Sequence, residues 1–139
     1  MLLLLSGSGA SARTGSDPGY AVDIQKGYDV FIPISKYLAL GDAAKLSAWF
    51  ADNLEISVLS SRTSDSSRNQ ARRIMKNFFD TYTPRSFEFE HMASRGSMKY
   101  ALGRLYAGGE TFSVTIFVTE KDESYVIQQL KIERNDAAY

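Results

Sequence analysis

The sequence contains no cysteine, one histidine, one tryptophan and three prolines among its 139 residues. Without cysteine, the chain can form no disulfide, no thiol nucleophile and no cysteine–zinc site. A single histidine also makes a transition-metal site unfavourable, and we expect no cofactor. No run of apolar residues approaches the roughly 18–20 that a membrane-spanning helix requires, so we expect no membrane span.

The chain also carries no net charge. The 16 lysines and arginines balance the 16 aspartates and glutamates. A neutral chain has no long-range field that would attract nucleic acid or an anionic membrane surface, so we expect neither as a partner. One predicted helix nevertheless carries a basic stripe, formed by Arg68, Arg72, Arg73 and Lys76. The stripe suits either an anion or partner site or a solvated helix face, and the neutral chain favours the latter.

Residues 1–22 differ in composition from the rest of the chain. A short leucine run at residues 2–5 leads into a Gly/Ser-rich segment, and Ala10-Ser11-Ala12 has the small-x-small form of a signal-peptidase site. No basic residue precedes the leucines. We interpret residues 1–22 as a signal-peptide remnant or a disordered leader, followed by a single domain over residues 23–134 and a frayed tail over 135–139. This interpretation predicts export to the periplasm or cell envelope.

Helical spacing dominates the first half of the domain. Gly41 is predicted to end a first helix, and Asp42 to cap a second one. The apolar positions of the first helix are Val30, Ile34, Tyr37 and Leu38. The buried face predicted for the second helix consists of Leu46, Trp49 and Phe50.

A third helix has the clearest periodicity in the chain. Ser67 and Gln70 have the spacing of a capping box before it, and Pro84 follows its end. Its apolar face recurs at i, i+3, i+4, i+7, i+8 and i+11. These positions are Ala71, Ile74, Met75, Phe78, Phe79 and Tyr82.

Period-two alternation predicts strands in the remaining segments. One strand is expected over residues 54–59, and residues 60–67 are interpreted as a polar loop. Four antiparallel strands follow the third helix, with Gly108-Gly109 as a hairpin turn between two of them. The resulting fold class is α+β: three helices in the N-terminal half packed on a curved, mostly antiparallel sheet.

This order of elements resembles the cystatin-like superfamily that includes nuclear transport factor two and ketosteroid isomerase. Four segments are similar to a family of uncharacterised bacterial exported proteins, domain of unknown function 4783. They are ISKYLALGD at 34–42, LSAWFADNLEI at 46–56, MKNFFD at 75–80 and IQQLKI at 127–132. The resemblance covers about residues 22–134. It implies a cone-shaped fold and a signal peptide, and it assigns no catalytic residue.

The cone of this superfamily can enclose a pocket, and aromatic side chains would line it. The candidate pocket residues are Tyr37, Trp49, Phe78, Tyr82, His91, Tyr100 and Phe112. The same aromatic volume suits a filled core equally well. A small apolar ligand is the occupant that such a pocket would accept.

A ketosteroid-isomerase-like mechanism would require an aspartate base and a tyrosine oxyanion donor. The predicted strands over 97–107 and 111–119 contain no aspartate or glutamate. Asp80 on the third helix is the remaining candidate base, and a solvated role suits it better. His91 is expected to share a strand face with Phe87 and Phe89, which would bring it near the pocket.

Three functions therefore stay open. We favour a non-catalytic exported binding module that uses the cone or the outer face of the sheet. The alternative is a small cofactor-free isomerase or dehydratase with a pocket near His91, and the third is a structural homodimer.

The outer face of the sheet is the predicted contact surface, centred on Phe117. Phe112, Val114, Ile116 and Val118 are expected to face the helices, so Thr111, Ser113, Thr115, Phe117 and Thr119 should face outward. On the neighbouring strand, Lys99, Ala101 and Gly103 are expected to face the same way. A large apolar side chain among short polar ones is typical of an interface, for a second copy or another protein.

Overall fold

The computed structural model describes residues 29–135, which form three helices and six strands. The helices are α1 (Phe31–Leu40), α2 (Ala43–Ser47) and α3 (Arg68–Thr81). The strands are β1 (Phe50–Val58), β2 (Ser61–Ser67), β3 (Pro84–Arg95), β4 (Met98–Ala107), β5 (Glu110–Lys121) and β6 (Ser124–Arg134). The predictions for the leader over 1–22, for residues 23–28 and for the tail over 136–139 lie outside the described residues.

The strands form one sheet in the order β2-β1-β6-β5-β4-β3. Neighbouring strands run antiparallel except β1 and β6, which are parallel. The sheet is therefore mixed, curved and open, with the three helices against one face. The predicted α+β class is confirmed. The parallel pair was not predicted, because periodicity along a strand carries no information about its partner.

The second helix is shorter than its apolar spacing predicted. Gly41 ends α1 with a φ of 70°, and the Asp42 carboxylate accepts a hydrogen bond from the Lys45 backbone N–H at 2.9 Å, as the two caps predict. However, α2 ends at Ser47. The Trp49 carbonyl already accepts a hydrogen bond from Ile127 of β6 at 2.6 Å, so the backbone here belongs to the sheet. Trp49 is half-buried as a result, which corrects its prediction as a core residue.

The predicted polar loop over residues 60–67 is wrong, because this segment forms strand β2. It pairs antiparallel with β1 after a turn at Leu59, whose φ is 58°. Within the described residues β2 is an edge strand of the sheet. An edge strand exposed to water needs no alternating apolar side chains, so an all-polar strand gives no sequence signal.

The core lies between the helices and the inner face of the sheet. Phe112, Val114, Ile116 and Val118 of β5 are all buried there, as predicted. The neighbouring strands supply Ala101, Leu105, Ile127, Leu130 and Ile132. The helices close the core with Phe31, Ile34, Leu38, Leu46, Met75, Phe78 and Phe79. Buried side chains from both layers thus meet between the helices and the sheet.

Candidate functional site

The residues predicted to line a cone pocket do not come together in one place. Phe78, Tyr82 and Phe112 do meet on the helix side, with ring centroids 5.0 to 5.2 Å apart. Phe78 and Phe112 are buried, so this cluster is part of the core. Tyr37 and Trp49 are half-buried against other parts of the core. The other two predicted residues, His91 and Tyr100, lie on the opposite face of the sheet.

His91 lies on the outer face of the sheet and not, as predicted, on the inner face. The cause is an irregularity in β3. Phe89 pairs with Gly103 on the inner face, but His91 pairs with Leu102 on the outer face, with a register shift between them. An extra residue in one strand reverses the side on which the following side chains lie. Strict alternation from Phe87 could not predict this change.

The faces assigned to Lys99, Ala101 and Gly103 are also wrong. Lys99 pairs with Val118, Ala101 with Ile116 and Gly103 with Val114, all on the inner face. The ammonium of Lys99 stands 5.5 Å from the ring centre of Tyr125. The two-residue turn at Gly108-Gly109 determines this register, since it places Ala107 opposite Glu110. The Gly108-Gly109 turn is evident from the sequence, and counting back from it gives the observed faces.

The outer face carries three ring side chains in a line across three strands: His91, Tyr100 and Phe117. We call them the outer aromatic row. Tyr100 lies directly opposite Phe117, and their rings stack at 5.5 Å between centroids and 28° between planes. His91 lies 5.7 Å from the Tyr100 ring. Beside the row, Met98 and Leu102 are 41% and 38% exposed, which extends the apolar surface along β4.

Polar residues surround the outer aromatic row. Arg104 pairs with Glu90 at 3.0 Å, and Lys131 with Glu133 at 3.2 Å. Next to Phe117, a groove of about 370 Å³ is lined by Asn53, Leu54, Glu55, Ser64, Asp65, Met98, Gln128 and Gln129. An apolar centre with a polar rim is the usual anatomy of a protein interface.

The residues considered for catalysis are separated from one another. His91 is exposed, and its ring contacts Tyr100. Asp80 is exposed and pairs with Lys76 at 2.9 Å on α3. In the part of the chain that the structure describes, no group of three or more histidine and acidic side chains is placed to hold a metal ion. None of the helices between residues 29 and 135 is long and apolar enough to cross a bilayer.

The basic stripe of α3 is partly neutralised. Arg68 donates to the Phe50 carbonyl at 3.3 Å and to Asp52 at 2.8 Å. Lys76 pairs with Asp80. Arg68 therefore ties the start of α3 to β1, which is a structural role.

The profile of one protein family, described as a domain of unknown function (DUF4783), matches residues 31–133. The chain therefore belongs to that family, as the four segments in its sequence predicted. No curated protein matches the chain.

Solved structures show the same fold. A DUF4783 protein from Bacteroides uniformis ATCC 8492 has a TM-score of 0.72 at 22% identity, covering 76% of this chain and 96% of that chain. One from Bacteroides ovatus ATCC 8483 has a TM-score of 0.71 at 20% identity, covering 75% and 94%. An NTF2-like protein of unknown function from Silicibacter pomeroyi DSS-3 has a TM-score of 0.63 at 13% identity, covering 84% and 98%. The fold is NTF2-like.

Proposed function

We propose that this protein is a non-catalytic interaction module that associates through the outer face of its sheet, with a second copy of the chain as the partner. The observation that carries the proposal is the outer aromatic row, with Met98 and Leu102 exposed beside it. Large side chains of this kind in contact with water are stabilised when a partner covers them. Export to the periplasm or cell envelope is part of the proposal, supported by the motif Ala10-Ser11-Ala12.

The size of the outer face suits a dimer. Six strands spaced about 4.8 Å apart, each about ten residues long, cover roughly 24 by 33 Å, or about 800 Å². A standard protein interface buries about 800 Å² on each partner. Association of two copies over this face would therefore reach the size of a stable interface.

The charges of the outer face favour self-association as well. Each edge of the apolar centre carries both signs, Arg104 with Glu90 on one side and Lys131 with Glu133 on the other. A face that is locally neutral does not repel its own copy across a two-fold axis. A partner with a strong charge of one sign would not be attracted, because this face carries no excess of the opposite charge.

An apolar pocket and an acid–base site receive less support. Phe78 and Phe112 occupy the interior where an apolar ligand would bind. An isomerase or dehydratase would need a carboxylate to orient His91 in a water-poor cleft. Instead, His91 lies on an exposed strand against Tyr100.

Sedimentation velocity on the wild type and on Phe117→Ser tests the proposal. We expect a concentration-dependent dimer for the wild type and a weakening of the dimer by about tenfold or more for the variant, since central aromatic side chains dominate interface energetics. Leu40→Ser is the matched control, because Leu40 is 66% exposed on α1, away from this face.

Two results would contradict the proposal. A wild-type protein that remains monomeric up to about 1 mM would rule out the proposed homodimer. A dimer that Leu40→Ser weakens as much as Phe117→Ser would place the interface elsewhere.

A further inference from the structure

A second cavity lies at the far end of the outer face, beside the β4–β5 hairpin. Its volume is about 480 Å³, and its lining is Arg85, Ser86, Tyr106, Ala107, Gly109, Glu110 and Thr111. Small-molecule sites usually have volumes of roughly 300–1,000 Å³. Gly109 leaves one wall open, since a Cβ there would have no neighbour within 4 Å.

Three residues that carry hydroxyl groups form a row across neighbouring strands in the lining of this cleft. Ser86 of β3 pairs with Tyr106 of β4, which pairs with Thr111 of β5. Residues directly opposite one another in a sheet project on the same side, about 5 Å apart. The row can therefore donate hydrogen bonds to several oxygens of one small solute.

Arg85 supplies a cation at the edge of the cleft. A register shift between Pro84 and Ser86 makes Arg85 an extra residue in β3. Such an irregularity redirects a side chain away from the regular alternation of the strand. Among residues 29–135, no carboxylate forms an ion pair with Arg85, so its guanidinium retains its donors.

Glu110 does not neutralise that cation, because it has its own partner. The Glu110 carboxylate pairs with Arg134. Arg134 also donates to the Tyr82 hydroxyl at 2.7 Å and stands over the Tyr82 and Phe112 rings, at 5.6 and 5.8 Å. These contacts hold Arg134 in place beside Glu110, so that the two charges neutralise each other. The charge left available in the cleft is therefore positive.

We propose that this cleft binds a small soluble molecule through an oxyanion, a carboxylate or a phosphate group. Arg85 donates its paired N–H groups to the anion, and the hydroxyls of Ser86, Tyr106 and Thr111 donate to the same group or to its neighbours. A guanidinium with hydroxyl donors matches the planar, bidentate recognition of such anions. The cleft lies away from the centre of the proposed dimer interface, because Thr111 and Phe117 are six residues apart on β5, or roughly 20 Å.

Amide chemical shifts measured during titration with inorganic phosphate, and separately with acetate, test this proposal. Sodium chloride keeps the ionic strength constant. We expect saturable shifts confined to Arg85, Ser86 and residues 106–111, with a Kd of about 1 mM for the better of the two anions. The anion that saturates at lower concentration distinguishes a phosphate site from a carboxylate site.

Arg85→Gln should weaken binding by about tenfold or more, and Tyr106→Phe by a smaller factor, since a charge-assisted hydrogen bond is stronger than a neutral one. Arg72→Gln is the matched control, because Arg72 is an exposed cation on α3. Phe117→Ser should not weaken anion binding, so failure of the dimer and failure of this site can be distinguished. Non-saturating shifts with both anions, or equal losses in Arg85→Gln and Arg72→Gln, would overturn the proposal.

Discussion

Gly103 shows how a single residue determines packing on the inner face of the sheet. It is buried in β4, opposite Phe89 of β3. A Cβ at this position would lie 2.3 Å from the Phe87 ring and 2.8 Å from the Glu88 carbonyl oxygen. The Phe87 ring therefore covers the glycine backbone. From there it contacts Phe89, at 4.8 Å between ring centroids.

Gly103→Ala should destabilise the protein by about 1–3 kcal/mol, the usual cost of inserting a methyl group into a packed core. Urea unfolding of the variant measures this loss. In the double variant Gly103→Ala/Phe87→Leu, the clash with the ring is removed, so the loss should be smaller than the sum of the two single substitutions. Equal stability of Gly103→Ala and the wild type would show that the Phe87 ring and the Glu88 backbone both move aside without cost.

At the scale of elements, α3 is held at its start by a side-chain cap. The Ser67 hydroxyl accepts a hydrogen bond from the Gln70 backbone N–H at 3.1 Å, and the Ser67 backbone is extended. Ser67→Ala should cost about 1 kcal/mol in unfolding free energy, while Ser67→Asp should retain most of the stability. Ser64→Ala, on the exposed face of the same strand, is the control for removing a hydroxyl. A loss in Ser64→Ala that matches the loss in Ser67→Ala would contradict the capping role.

The sequence predicts well those helices and strands in which capping residues, apolar spacing and turn residues all favour the same structure. Helix α3 has a cap, an apolar stripe and a proline after its end, and the structure places it where these signals do. Strand β2 has none of these signals, since its polar side chains face water at the edge of the sheet. The pairing of β1 with β6 joins segments more than seventy residues apart, and no local signal specifies it.

The candidate sites were only partly predictable, for a related reason. Phe117 was identified because a large apolar side chain stood among threonines in an alternating strand. Tyr100 was predicted for the wrong surface, although the two-residue turn at Gly108-Gly109 determines its position opposite Phe117. His91 and Arg85 owe their places to irregularities in β3. Alternation along a strand cannot reveal where such irregularities occur.

At the scale of the whole molecule, the parallel pairing of β1 with β6 connects the two halves of the chain. Ile56 lies beside Leu130, and Val58 beside Ile132. Their side chains join the same core as the helices and the inner face of β5. A core shared among all parts of a domain this small should unfold as a single unit.

Trp49 provides a local probe of this cooperativity. It lies between α2 and β1, and its carbonyl is bonded to Ile127 of β6. Its emission therefore reports on the junction of the two halves, whereas far-ultraviolet circular dichroism reports mainly on the helices and the sheet. We expect both signals to give the same urea midpoint and slope. The experiment is best done on Phe117→Ser, because association would raise the midpoint with protein concentration. A tryptophan transition at lower urea than the dichroism transition would mean that the α2–β1 junction opens before the rest of the sheet, and that the core is not one cooperative unit.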